Sequence, residues 1–337
     1  MKKIRSAVIG LGHIATKFHL PAILKSKKFN IVSVCDNDFK KFKRVKSLIK
    51  NTKFYLDYKI MLKKEVFDTI FIFTPPNQHF SQILDSIKFK KNIFVEKPVV
   101  IKNLQLNKIK KRIKSHNSYL QCALHQRFRP ISKEIKKIIN SKKLGDIYFV
   151  NIVHKKFRAV PKHSFVFSDK NKSGGGPLID LGTHYFDLAA WIFNFPKINS
   201  MKCHLFSNIF KNRKNNYLPH NYFNNEESAI GNFVINNRIL INFELSYISN
   251  SSNEEIKIEF YGTKGSVIWP KKHYFKLVKN KLIKKPIKFS EILASNQQID
   301  NFYKRAIKKD SSISNLNEYT YVVKLVNNLY NKSKRFI

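Results

Sequence analysis

Alternating strand and helix signals place this 337-residue chain in the α/β class, with a doubly wound parallel sheet in its first third. Three observations carry that expectation. Residues 4–9, Ile-Arg-Ser-Ala-Val-Ile, form a short apolar strand that runs into Gly10-Leu11-Gly12-His13-Ile14-Ala15 and then into a helical stretch through Leu24. A second strand, Ile31–Cys35, ends on an acid, Asp36. Buried-strand patterns then recur at 68–73, 92–95 and 119–124, separated by helical stretches at 79–88 and 102–115.

The glycine turn is the first element with chemistry. Gly10 permits a tight turn, Gly12 lets a pyrophosphate approach the backbone, and Ala15 keeps helix and strand close. The helix start then offers free N–H groups to phosphate oxygens. Asp36 follows at about 20 residues, the position from which a carboxylate reaches ribose hydroxyls. The other reading is an unrelated glycine turn with Asp36 as an ordinary turn residue. Strand, turn, helix and acid in register favour a dinucleotide. A carboxylate at 36 favours NAD over NADP by repelling a 2′-phosphate, with Lys40, Lys41, Lys43 and Arg44 partly offsetting it. Thr74-Pro75-Pro76-Asn77-Gln78-His79 and Glu96-Lys97-Pro98 both lie at carboxyl ends of strands, the edge where open parallel sheets bind ligands.

The second informative stretch is Gly174-Gly-Gly-Pro-Leu-Ile-Asp180-Leu-Gly-Thr-His184-Tyr-Phe-Asp187. It reads as a flexible glycine run opening into a helix that stacks Asp180 and His184 on one face, four residues apart. An acid and an imidazole beside a loop that a ligand can approach are parts of a proton-transfer site. An acid–histidine pair at this spacing is also common surface decoration, so the context has to decide. The same holds for Lys97, one lysine among 54.

Composition excludes more than it assigns. The net charge of +42 is spread along the chain, and 54 Lys against 10 Arg, with 40 Ile and 34 Asn, follows codons rich in A and T. Without an arginine-rich reading helix or an aromatic stacking motif, no specific nucleic-acid partner is expected. No apolar run approaches the roughly 18–20 residues of a membrane span. The basic start followed by an apolar run of about six residues is too short for a signal sequence, so a cytoplasmic location is expected. Cys35, Cys122 and Cys203 form no CxxC pair, and neither a disulfide framework nor a metal site is expected.

Together these motifs resemble the Gfo/Idh/MocA oxidoreductase family, the glucose–fructose oxidoreductase and inositol dehydrogenase group. The resemblance runs essentially end to end: Gly10–Ala15, Thr74-Pro75-Pro76 with His79, Glu96-Lys97-Pro98, Arg127-Phe-Arg-Pro130, Leu144-Gly-Asp-Ile147, Gly174–Asp187 and Tyr261-Gly-Thr-Lys-Gly-Ser266. It implies a Rossmann domain over 1–121 and a substrate and oligomerisation domain over 122–337. The latter would carry a large, mostly antiparallel open sheet. Alternating segments at 146–157, 227–235, 238–247, 255–261 and 265–269 allow that sheet, and a helical stretch at about 300–334 is expected to pack back on the first domain.

The resemblance further implies that His184 is the acid–base residue and that Lys97 and Asp180 bind the reacting hydroxyl. Pro98 matches the family's cis-proline, which would aim Lys97. The cofactor set becomes Gly10, Gly12, His13, Ile14, Asp36, Thr74, Pro75, His79, Glu96 and Lys97, holding NAD, with NADP as the second possibility. Arg127, His163 and Asp187 are candidate substrate contacts. An ion pair within the fold is the other reading of Arg127, and a hydrogen-bond network that of Asp187. The substrate would be a sugar, nucleotide-sugar or polyol, and the protein a homodimer or homotetramer. Two long loops, 157–173 with Arg158, Lys162 and His163, and 208–225, would shape specificity. The competing functions are an NAD-dependent glycosidase that oxidises its sugar transiently, and a non-catalytic dinucleotide sensor.

Overall fold

The computed structural model describes residues 3–157, 166–207, 209, 223–249, 253–308 and 316–336. The chain forms two compact units, residues 1–125 with 293–320, and residues 126–292 with 321–337.

In the first unit, strands β1 (Ile4–Ile9), β2 (Phe29–Cys35), β3 (Lys53–Tyr55), β4 (Thr69–Ile72), β5 (Asn92–Val95) and β6 (Leu120–Cys122) form one sheet in the order β3-β2-β1-β4-β5-β6. Every pairing is parallel. The order reverses between β1 and β4, so the first βα turn opens at the point where such sheets hold ligands. The strands are apolar almost throughout because both sheet faces are covered. Val8, Val34, Phe71 and Phe94 share one core with Ile299, Phe302 and Tyr303 from the helix Ala294–Lys308. Strand β3 and the helices Phe39–Val45 and Tyr58–Lys64 escape the sequence reading. Each is too short to show a period, although Asp38 and Asp57 cap the two helices by accepting from Lys40 N and Lys59 N.

Gly10 is obligatory at its position. Its φ is +91°, and a Cβ there would lie 2.8 Å from the Phe73 carbonyl carbon and 2.9 Å from Thr74 N. Gly10→Ala is expected to destabilise the first unit by about 1–3 kcal/mol, read as a lowered melting temperature. An unchanged melt would show that this turn relaxes freely.

The second unit holds a mixed sheet of β7 (Ile147–Lys155), β8 (Ile198–Phe206), β9 (Ser228–Ile235), β10 (Ile239–Ser246), β11 (Glu255–Gly262), β12 (Gly265–Trp269), β13 (His273–Val278), β14 (Lys281–Pro286) and β15 (Ser333–Phe336). Their order is β14-β13-β12-β11-β7-β10-β9-β8-β15. Pairings β7–β10 and β8–β15 are parallel, and the rest are antiparallel. Strands β8, β13, β14 and β15 lie at or near the sheet edges, where weak burial blurs the alternation that reveals a strand; β14 is exposed at every residue. The helical stretch read at 300–334 is two helices, Ala294–Lys308 and Leu316–Asn331, and Ser333–Lys334 belong to β15.

The helix Gly182–Ile192 packs on this sheet through Phe186, whose ring meets Phe233 and Phe243 edge-on at 5.6 and 5.1 Å. A helix whose apolar residues dominate most of its circumference belongs in the interior. Of its eleven residues, His184 alone is not buried.

Candidate active site

In the first unit, the turn after β1 has the features that a dinucleotide needs. Gly12 has nothing within 4 Å of where a Cβ would stand, leaving open space over the backbone, and His13 and Ile14 beside it are exposed. The helix opening there makes one wider turn over Ala15–His19 before continuing as Leu20–Ser26. Asp36 braces the turn: its Oδ2 accepts from Leu11 N at 2.8 Å, and its Oδ1 from Asp38 N at 3.0 Å. Of the four basic residues that follow, Lys41 reaches the carboxylate, 3.0 Å from Oδ1.

The loops after β4 and β5 are tied to one another. His79 is fully buried, with Nδ1 2.8 Å from the Pro98 carbonyl and Nε2 2.8 Å from the Thr74 carbonyl. Burial lowers its pKa, opposed by those two carbonyls and by the charge of Glu96, and a neutral ring donates to one carbonyl at a time. Thr74 Oγ1 donates to Gln82 Oε1 at 2.6 Å, and Pro75 precedes the helix Pro76–Lys88.

Half-buried Lys97 therefore sits on a loop held at three points. Glu96 Oε2 accepts from Lys97 N at 3.0 Å, while its Oε1 lies 2.6 Å from His19 Nε2. Pro98, joined to Lys97 by a cis bond, has its carbonyl on His79, and Val99 N donates to Tyr319 OH at 2.9 Å. His19 is stacked on Phe73 with ring centroids 4.3 Å apart. Burial works against ionisation of Glu96, but His19 and Lys97 outweigh it and keep the carboxyl below its ordinary range.

In the second unit, the glycine-rich stretch corrects two expectations. Asp180 ends a four-residue helix, Pro177–Asp180, and His184 belongs to the next helix, Gly182–Ile192. At the joint, Leu181, His184 N donates to Leu181 O at 3.1 Å, so the two residues do not share one regular helix. Nor is the glycine run a flexible approach for a ligand. A Cβ at Gly176 would lie 2.1 Å from the Glu226 carbonyl oxygen, and one at Gly175 would lie 2.1 Å from Tyr330 OH. The glycines are required by close packing inside the unit.

Glu226, Tyr247 and Tyr330, which no motif marks, seat this segment. Glu226 Oε1 accepts from Gly176 N at 2.9 Å, Leu178 N at 3.3 Å and Tyr330 OH at 2.7 Å. Tyr247 OH donates to Asp180 Oδ2 at 2.8 Å. Burial and the Asp180 charge push the Tyr247 hydroxyl well above its usual range, so it stays a donor.

Burial likewise pushes the Glu226 carboxyl up, against the pull of Tyr330 and the peptide N–H groups. A carboxyl raised in this way takes up a proton on folding. Its stabilisation is full below the unfolded pKa and is lost as pH rises through the folded one. Wild type is expected to lose melting temperature relative to Glu226→Gln as pH rises from about 4. A difference constant with pH would show that Glu226 does not titrate with folding.

Arg127 and Asp187 are paired with each other. Arg127 Nε donates to Asp187 Oδ2 at 2.6 Å and Nη2 contacts Oδ1, with both side chains essentially without exposure. Trp191 is buried in the same unit. His163, Arg158 and Lys162 lie outside the described residues, as does most of 208–225. Among the described residues, no cluster of His, Cys, Asp or Glu could hold a metal ion, and no helix is long and apolar enough to cross a membrane.

Residues 4–124 match the description "Oxidoreductase family, NAD-binding Rossmann fold", and residues 136–334 match its "C-terminal alpha/beta domain". The chain belongs to the Gfo/Idh/MocA family. Among its relatives is D-glucoside 3-dehydrogenase of Escherichia coli K12, 25% identical over 273 residues, which span 79% of this chain and 77% of that protein. Alignments with several other curated relatives span little more than half of their length. An oxidoreductase from Agrobacterium radiobacter, solved with NAD+, L-tartaric acid and magnesium, shares the fold with TM-score 0.82 at 16% identity, covering 98% of this chain and 96% of that one. So does a 3-ketoreductase from Actinomadura kijaniata, solved with NADP and TDP-benzene, with TM-score 0.84 at 13% identity and 99% coverage of both chains. The first unit of this Gfo/Idh/MocA protein is thus an NAD-binding Rossmann domain. The open space over Gly12 and the left-handed Gly10 fit that cofactor.

Proposed function

We propose that this protein is an NAD(P)-dependent dehydrogenase or reductase that acts on a hydroxyl-bearing carbon of a sugar, nucleotide-sugar or polyol. The observation that carries the reading is His184, the one accessible residue of an otherwise buried helix, preceded by an Asp180 held by Tyr247. Bound nicotinamide supplies the site that accepts or returns a hydride. It would be held by the Gly10–Ala15 turn, by Asp36 and by the strand-end residues Thr74 and Pro75. His184 takes the hydroxyl proton during oxidation and returns it during reduction. The Lys97 ammonium donates to the same oxygen and stabilises its alkoxide character. Asp180 orients the imidazole or grips a neighbouring hydroxyl. Support comes from relatives named for reactions at sugar carbons, such as the D-glucoside 3-dehydrogenase.

The test is a panel of sugars, polyols and nucleotide-sugars with NAD and with NADP, followed by nicotinamide absorbance. Turnover with stoichiometric change in nicotinamide is expected. Glycosidic cleavage with no net change would replace this reading by the transient-oxidation glycosidase, and cofactor binding without turnover by the sensor.

A further inference from the structure

Two arginines two residues apart have opposite fates. Arg127 is buried and paired with Asp187. Arg129, which precedes the helix Pro130–Asn140, is half-buried, and among the described residues its guanidinium makes neither hydrogen bond nor ion pair. It lies over Trp269, the guanidinium carbon 4.9 Å from the ring centroid. That platform is rigid. Trp269 is 1% exposed, and its Nε1–H donates to Ser132 Oγ at 2.9 Å.

Trp269 also packs edge-on to Tyr185 with centroids 5.9 Å apart, and Tyr185 OH lies 2.8 Å from His154 Nδ1. Tyr185 directly follows His184, and besides burial the charges of Arg129, Asp180 and Glu254 act on its hydroxyl. The cation therefore lies in the neighbourhood of the acid–base helix. Burial lowers the Arg129 pKa, yet its basicity leaves it charged at neutral pH.

A partly dehydrated guanidinium with no carboxylate is costly unless a ligand completes it. Attraction to the indole face anchors the group, while its N–H donors have no hydrogen-bond partner among the described residues. The planar guanidinium fork matches the two oxygens of a carboxylate or phosphate. We propose that Arg129 recognises an anionic group, a carboxylate or a phosphate, on the polyhydroxy ligand of this protein. Calling that ligand the substrate rests on the reading of His184 above; the anion site itself does not.

The test is calorimetric titration of the full chain, saturated with NAD, using matched pairs: D-glucitol against D-gluconate, and D-glucose against D-glucose 6-phosphate. At least one acid is expected to bind about tenfold or more tightly than its neutral partner. The pair that shows the effect tells carboxylate from phosphate. Arg129→Met is expected to abolish that advantage while sparing NAD affinity, and Arg129→Lys to keep only part of it. Should Arg129→Met not fold, Arg129→Lys carries the test, with the acid weakened and the neutral partner unchanged.

Acids no tighter than their neutral partners, including no binding by either, overturn the proposal. So does an advantage that survives in Arg129→Met, because attraction to the general positive charge would then explain it. Polyol acids bound and oxidised equally by wild type and Arg129→Met would sink this proposal and keep the dehydrogenase. Arg129-dependent anion binding with no nicotinamide chemistry would do the reverse.

Discussion

His184→Ala is expected to lower kcat by about 10²–10⁴-fold on any accepted polyol, the usual range for loss of a positioned acid–base group. Substrate KM should change far less, because the imidazole acts on a proton that moves during the reaction. NAD affinity should be unchanged, since the dinucleotide turn is built from the first unit around Gly10, Gly12 and Asp36. The fold should tolerate the change as well. His184 is the single residue of its helix that is not buried, so truncating it should cost less stability than truncating its neighbours. Steady-state rates together with NAD titration check this. Equal turnover by mutant and wild type on every accepted substrate would remove His184 from the chemistry.

Arg127→Met is expected to be the most damaging change to stability. It leaves the Asp187 carboxylate buried without its partner, and breaking such a pair costs about 3–5 kcal/mol. That is a large share of the roughly 5–15 kcal/mol that holds a typical domain together. Trp191 and Trp269 both belong to the second unit, so tryptophan fluorescence during urea unfolding reports it directly. The Arg127→Met, Asp187→Leu double variant should recover much of the loss, because it removes both charges from the interior. A single variant as stable as wild type would mean that water reaches Asp187 and the pair is not truly buried.

The first unit was largely legible because its signals are local. A strand, a glycine turn and an acid at the end of the next strand follow one another within a few dozen residues, each with its own steric or electrostatic cause. Lys97, between an acid and a proline at a strand end, was singled out only through the family resemblance. What holds Lys97 was not legible. His19, His79 and Tyr319 come from distant parts of the chain and meet only when β1, β4, β5 and the C-terminal segment assemble. The glycines before Asp180 teach the same lesson. Conformational freedom suggested ligand access, whereas Glu226 and Tyr330 occupy the space that side chains would fill.

By itself, then, the sequence determined the α/β class and the parallel dinucleotide-binding sheet, since turn geometry, alternation and residue type act over short range, and it singled out the side chains proposed for the chemistry. Only the tertiary structure decided that Arg127 is matched to Asp187 while Arg129 has no carboxylate partner among the described residues, and that His184 alone of its helix is not buried. Those outcomes depend on burial and on partners remote in the chain. The free energy of a charge is set by what surrounds it, and residue spacing does not specify that surrounding.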